Sequence, residues 1–147
     1  DGLELGMRFT DTRGYEYTLL ALSNALASTT VAGEVLTYVD ADTVTNDVSE
    51  GTEVPAGIVE GAFAQSSATG TGRTAVLLLV RGIHTGIVAG SSTIALGSTV
   101  QVDTSNDGEC AVLTAGTAVT SAISQLIIGL ALAAKDSDNK VKTLVKL

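Results

Sequence analysis

The sequence predicts an all-β protein, and three observations support this. The 147 residues include 16 glycines and one proline, with many Val, Thr and Ser residues, a composition that favours short strands and tight turns. Several short stretches alternate apolar with polar residues, as half-buried strands do. The continuous apolar run Ala75–Val80 is too short for an ordinary helix and is typical of a strand buried on both faces. A content of 45% hydrophobic and 16% charged residues indicates one ordered globular domain.

The N-terminal part predicts an arm followed by a hairpin. We assign residues 1–8 to the arm, which has no pairing partner nearby in the sequence, and residues 9–147 to a single all-β domain. Met7–Asp11 and Tyr15–Leu22 flank the short loop Thr12–Gly14, and this arrangement is typical of a β-hairpin.

The middle of the chain predicts strands separated by polar connections. Gly33–Asp40 and Ala56–Phe63 read as strands, whereas Ser23–Ala32 fits either one helical turn or a polar loop. Asp40–Pro55 is acidic and rich in turn formers, so we expect a surface connection there. Ala64–Arg73 contains no large apolar residue and predicts a mobile tip between two strands.

The stretch Ala75–Asp103 predicts the seam between two β-lobes. After its first strand, the glycines of Arg81–Gly86 predict a turn that holds His84, and Gly90–Thr93 predicts a polar loop. Thr99–Asp103 alternates as a strand does, with Val100 and Val102 on one face.

The C-terminal part predicts three more strands. The Asn-Asp-Gly sequence favours a hairpin turn between the strand above and its successor, and Gly129 is expected to break the apolar strand that contains it. Thr114–Gln125 is ambiguous. The remaining assignments are a turn at Thr104–Gly108, strands at Glu109–Leu113, Leu126–Ala134 and Lys140–Leu147, and a turn at Lys135–Asn139.

The order of these elements occurs twice, which predicts two related β-lobes packed as one domain. Chance similarity among short strands is the alternative. The matched segments are Gly33–Asp40 with Gly97–Asp103, Gly57–Ile58 with Gly129–Leu130, and Val76–Val80 with Val141–Val145.

The charge distribution limits the partners. A net charge of −8 argues against nucleic acid and anionic membranes. No signal peptide is visible, and no apolar run approaches the roughly 18 residues of a membrane-spanning helix. All four lysines lie in Lys135–Lys146, which indicates either an edge strand protected by lysines or a docking site for an acidic partner.

The chemically reactive residues predict no catalytic site, metal, cofactor or small-molecule substrate. His84 and Cys110 are the only residues of their types and are interpreted as a turn residue and an inert packed residue. The spacings Asp40-Ala41-Asp42 and Asp136-Ser137-Asp138 allow calcium ligation, but solvated turns explain them better. A carboxylate-dependent hydrolase is disfavoured because no convergent motif is present.

Three stretches resemble phage head decoration proteins, also called capsid-stabilising or cement proteins. They are the AVLLLVRG strand, the GIVAGSSTIALGSTVQVD unit and the closing IIGLALAAKDSDNKVKTLVKL. The resemblance covers roughly residues 33–147. It implies a small β-barrel-like or β-tulip fold. It also implies a homotrimer, made in the host cytoplasm, that binds the outer surface of the capsid in the virion. There it would clamp neighbouring major capsid proteins after head expansion.

Two sets of residues are candidates for the contacts this role requires. The arm residues Leu3, Glu4, Leu5 and Met7 are candidates for capsid binding by strand addition, with a frayed terminus as the alternative. Tyr15, Tyr17 and Tyr38 are candidates for the trimer interface, where tyrosine is enriched, or else are core aromatics. The competing function is a secreted or surface β-module that binds glycan or protein, although five Tyr and Phe residues in total offer few platforms for sugar.

Overall fold

The computed structural model describes residues 5–23, 30–64 and 74–147, which form a nearly all-β protein. The predicted fold class is therefore confirmed at that level. The described part contains ten strands and one helical turn, α1 (Ser121–Ser124). The strands are β1 (Arg8–Thr10), β2 (Glu16–Leu22), β3 (Val35–Tyr38), β4 (Thr43–Thr45), β5 (Pro55–Ala64), β6 (Thr74–Val88), β7 (Thr99–Val102), β8 (Cys110–Val112), β9 (Ile127–Ala131) and β10 (Lys140–Lys146).

All ten strands belong to one hydrogen-bonded sheet. Its order is β1-β2-β4-β3-β5-β6-β10-β9-β7-β8, and β2 also pairs with β6. The pairings that run from β2 through β4, β3, β5 and β6 therefore return to β2 and form a cycle. Among these described strands every pairing is antiparallel except the parallel pairing of β2 with β4.

Strand β6 connects the two parts of the sheet. Its first half pairs with β5 on one side and β2 on the other, and its second half pairs with β10. Arg81 marks the change, because it faces Glu16 of β2 and Lys146 of β10. The predicted turn at Arg81–Gly86 is therefore wrong, since β6 runs through it without interruption.

Gly82, one of the glycines of that segment, allows a close contact and does not form a turn. Gly82 has a φ of 142°, and a β-carbon there would lie 2.6 Å from Cγ of Tyr15. The missing side chain lets the Tyr15 ring lie against the strand. A glycine inside a strand often marks such a close approach, and a sequence pattern does not distinguish it from a turn.

Two other sequence interpretations are also corrected. The predicted connection Asp40–Pro55 contains β4, whose three residues are all buried, because the β-branched Thr-Val-Thr run pairs with both β3 and β2. Gly129 does not break its strand. It lies inside β9, where its missing side chain makes room for the carbonyl oxygen of Leu144.

Two hydrophobic clusters fill the interior. The first uses residues from all five strands of the cycle: Leu20, Leu22, Leu36, Val44, Ala56, Val59, Val76 and Leu78. The second lies mainly between β6 and the four later strands and includes Ile87, Val100, Val102, Cys110, Ile128, Val141 and Val145. Burial of each large apolar side chain contributes about 1.5–3 kcal/mol to folding, so these clusters are the main source of stability.

The hydrogen bonds of β3 with β5 recur between β7 and β9. The N–H of Gly33 donates to the carbonyl of Val59 at 2.9 Å, and the N–H of Gly97 donates to the carbonyl of Ala131 at 2.9 Å. At the other strand end, Tyr38 donates to Val54 at 3.0 Å.

The corresponding bond in the later pair runs from Val102 to Leu126 and measures 2.9 Å. A register shift follows Leu36 in one pair and Val100 in the other. The segments matched in the sequence therefore occupy corresponding places in the two sets of pairings.

Candidate functional site

One face of the C-terminal strands carries apolar side chains that the core does not cover. Leu144 of β10 pairs with Ile83 of β6 and with Leu130 of β9. Directly paired residues share a face, so these three side chains form a row across the sheet. Leu130 is 40% exposed, and the other two are half-buried. The neighbours Thr143 and Val145 point into the protein and are fully buried.

Cationic side chains flank this apolar row. Lys142 and Lys146 alternate with the buried residues of β10, so they share the face of Leu144 and are exposed. Arg81 faces Lys146 in register. We call this surface the outer face and define it by Arg81, Ile83, Leu130, Leu132, Lys142, Leu144 and Lys146.

The cations of the outer face are only partly neutralised. Arg81 lies 3.5 Å from the carboxylate of Glu16, which stands at the edge of the face, and both side chains are well exposed. Within the described ranges, the ion pairs involve two arginines and one histidine, and none includes a lysine. Lys142 and Lys146 therefore offer positive charge to a partner.

Two long segments, which include parts of β6 and β9, are free of charged side chains. Residues 82–102 and 110–134 include no Asp, Glu, Lys or Arg. They contribute Ile83 and Leu130 to the apolar row, and low charge at an exposed apolar centre is typical of protein–protein interfaces. Two other hydrophobic side chains of these segments, Leu96 at 70% and Val119 at 57%, are exposed but do not belong to the outer face.

The predicted arm lies partly against its own chain. Leu3 and Glu4 fall outside the described residues. The N–H of Gly6 donates to the carbonyl of Leu19 at 2.6 Å, and Leu19 donates to the carbonyl of Met7 at 3.1 Å. The backbone at Gly6 and Met7 therefore already pairs with β2. Of the side chains there, Leu5 is half-buried and Met7 is exposed. Strand β1 begins at Arg8, inside the predicted arm. Capsid binding by these residues stays a prediction.

The structure brings Tyr15 and Tyr17 together around Arg13. The guanidinium of Arg13 lies 4.1 Å from the centre of the Tyr15 ring and donates to the Tyr17 hydroxyl at 3.0 Å. Tyr17 is 7% exposed and stacks on Phe9 at 5.9 Å between ring centres. Burial, with a smaller effect of the Glu60 charge, raises the Tyr17 pKa.

Tyr38 lies elsewhere and packs against the cluster inside the cycle. All three predicted interface tyrosines thus make contacts within the chain, and Tyr17 has almost no surface left for a neighbour. Their role in a trimer stays a prediction.

His84 is a strand residue with both ring nitrogens engaged. Its Nδ1 accepts the N–H of Gly86 at 3.0 Å, and its Nε2 lies 3.6 Å from Glu60 Oε1. Burial lowers the His84 pKa and outweighs the opposite effect of the Glu60 charge. The contact between His84 and Glu60 joins β6 to β5.

A small depression lies where the tip of the β7–β8 hairpin meets β3 and β4. Asn46 lines it and is 8% exposed, and its Nδ2 donates to the Glu34 carboxylate at 3.0 Å. Burial raises the Glu34 pKa. The hairpin tip is held there by bonds from Gly108 N–H to the Asn46 carbonyl at 3.0 Å and from Val35 N–H to the Gly108 carbonyl at 2.9 Å. The depression is a junction between the two parts of the sheet.

The Asp-x-Asp segments form turns. Asp40 Oδ1 accepts the N–H groups of Asp42 and Thr43, and Asp136 Oδ1 accepts those of Asp138 and Lys140. The hydrogen bonds that Asp40 accepts, the backbone bond from Asp42 first among them, lower the pKa of Asp40. In the part of the chain that the structure describes, no group of three or more His, Cys, Asp or Glu side chains is placed to hold a metal ion.

Cys110 is fully buried, and burial raises its thiol pKa to about 12. A thiol in this environment is not a nucleophile at neutral pH. No described helix is long and apolar enough to cross a membrane. Comparison with family models, curated proteins and solved structures gives no match.

Proposed function

We propose that the protein is a non-enzymatic phage capsid decoration protein. It binds the outer surface of the capsid as a trimer and stabilises the expanded head by clamping neighbouring major capsid proteins. The outer face carries this proposal. A sheet surface with an apolar row, and with lysines that form no ion pair among the described residues, is suited to binding a protein rather than enclosing a substrate.

The proposal includes a fold of two related β-lobes, the first of them a small β-barrel. The cycle of pairings and the cluster inside it support the barrel. The recurrence of hydrogen bonds and register shifts supports the relationship between the lobes. A rigid body of this kind suits a protein whose role is to hold other subunits in place.

The proposal also excludes catalysis and a cofactor and locates the protein on the virion after synthesis in the host cytoplasm. The environments of His84 and Cys110 support the non-enzymatic part. His84 accepts a backbone hydrogen bond and contacts Glu60, and Cys110 is packed in the core, so neither is poised for proton transfer or nucleophilic attack.

The test is cosedimentation with expanded, undecorated head shells, assembled from the major capsid protein encoded by the same phage. We expect saturable binding at one trimer per three-fold site and a rise in the temperature at which the shells break. Unexpanded shells are the matched control. Absence of binding to expanded shells at any salt concentration would overturn the proposal.

A protein-binding surface module is the second candidate, and the same outer face favours a protein ligand over a glycan. It differs from the first candidate in one outcome. A surface module would leave expanded shells unbound and capture a protein from the cell envelope of the host.

A further inference from the structure

We infer that the outer face is the surface that contacts the capsid, and that its partner is an acidic protein surface with an apolar centre. This inference rests on the proposed function and names the contact that the function requires. It assigns the contact to β6, β9 and β10, whereas the sequence pointed to the arm.

Charge is the first argument. The chain carries a net charge of −8, yet the outer face holds Arg81, Lys142 and Lys146. Glu16 at its edge is the one carboxylate paired to these groups among the described residues. An acidic surface therefore repels most of the molecule and attracts this face, which orients the encounter.

The arrangement of the side chains is the second argument. The row of Ile83, Leu144 and Leu130 lies between the cations, so an apolar centre has a charged rim. Interfaces are commonly organised in this way, with affinity supplied by the centre and orientation by the rim.

The fixed geometry of the face is the third argument. All its residues lie on or directly beside β6, β9 and β10, and inward-facing residues of the same strands, Thr143 and Val145, are fully buried. The face is thus preorganised, and binding does not require ordering of a segment. An acidic region of a second copy is the competing occupant, and the test separates it.

The experiment measures binding of charge-reversal variants to the expanded shells described above. Lys142→Glu and Lys146→Glu are each expected to weaken binding on the order of tenfold and to reduce its salt dependence. Arg8→Glu is the matched control, because it makes the same change in charge at an exposed position on β1 that belongs neither to the outer face nor to the four arm residues named for capsid binding. It is expected to bind nearly as wild type does.

The apolar centre is tested with a second pair of variants. Leu130→Ser removes an exposed leucine from the row, and Leu96→Ser removes an even more exposed one outside it. The first is expected to weaken binding and the second to leave it unchanged. Circular dichroism and thermal unfolding check that all five variants are folded.

The possible outcomes separate failure of this inference from failure of the proposed function on which it rests. If wild type binds and the lysine variants bind as Arg8→Glu does, the inference is overturned and the function stands. If wild type does not bind, both are overturned. If the lysine variants dissociate the oligomer in light scattering, the face is a subunit interface and the inference is wrong.

Discussion

At the scale of single residues, Glu34 is a half-buried carboxylate whose ionisation opposes folding. Burial is the largest cause of its raised pKa, and the hydrogen bonds from Asn46 and Val31 compensate only in part. The folded state therefore binds this proton more tightly than the unfolded state. The stability that protonated Glu34 contributes is complete below the pKa of 4.5 that the group has in the unfolded chain. This stability is lost as the pH rises through the higher pKa of the folded state.

We predict that Glu34→Gln removes this loss of stability at higher pH. The amide keeps an oxygen to accept from Asn46 and carries no charge to desolvate. The free energy of unfolding, measured with urea at about pH 4 and about pH 7, should fall less with rising pH in the variant than in wild type. Glu50→Gln, at an exposed position, is the control and should retain the wild-type slope. Equal slopes for Glu34→Gln and wild type would contradict the prediction.

At Gly129, the absence of a β-carbon is important for the stability of the sheet. A β-carbon there would collide with the backbone carbonyl of Leu144, which has no freedom to move within the sheet. We predict that Gly129→Ala destabilises the protein by about 1–3 kcal/mol, the usual cost of overpacking.

Gly61→Ala provides the comparison. It also lies in a strand, but a β-carbon there meets no atom within 4 Å, so little change is expected. Denaturant unfolding of both variants gives the difference directly. Similar stability of the two variants would show that the sheet relaxes around the new methyl group.

At the scale of elements, β1 protects the edge of β2. β2 is buried along almost its whole length, and β1 pairs with it through Arg8, Phe9 and Thr10. We predict that deletion of residues 1–4 leaves the melting temperature unchanged, whereas deletion of residues 1–10 lowers it by several degrees, as a loss of about 1 kcal/mol would.

The longer deletion should also promote aggregation, because an unprotected edge invites pairing with another chain. Calorimetry and light scattering measure the two effects. The shorter deletion also tests the arm, because a loss of shell binding without a loss of stability would assign capsid contact to residues 1–4. Equal melting temperatures for the two deletions would show that β1 adds nothing to the stability of β2.

The elements show what the sequence can and cannot predict. Strands with clear alternation, such as β7 and β10, were predicted because the pattern itself records which side is buried. β4 and the passage of β6 through Gly82 were missed, because each depends on partners distant in sequence: β2 and β3 for one, the Tyr15 ring for the other.

The candidate site was predictable to the same limited extent. Leu144 among lysines on one face of the last strand is visible in the sequence. Its neighbours Ile83 and Leu130 come from strands about 60 and 14 positions away, and only the register of the sheet brings them together. The lysines were therefore recognised as a possible docking site, but the apolar row between them was not.

At the scale of the whole molecule, the proposed role requires three-fold association. We predict a mass of three chains, about three times 14.8 kDa, by light scattering after size exclusion. Neutralising variants at Lys142 and Lys146 should not change this mass, since the outer face is assigned to the capsid. A stable monomer would restrict trimer formation to the capsid lattice and would contradict this prediction.

The sharing of β6 between both parts of the sheet has a further consequence for cooperativity. Neither part keeps all its strand pairings if β6 leaves, so the two parts of the sheet are expected to melt in one transition. Amide hydrogens in the middle of β6 should exchange with solvent only through global opening, and those of β8 at the far edge should exchange sooner. In the proposed clamping role, a protein built around one shared strand would resist mechanical stress as a single cooperative unit.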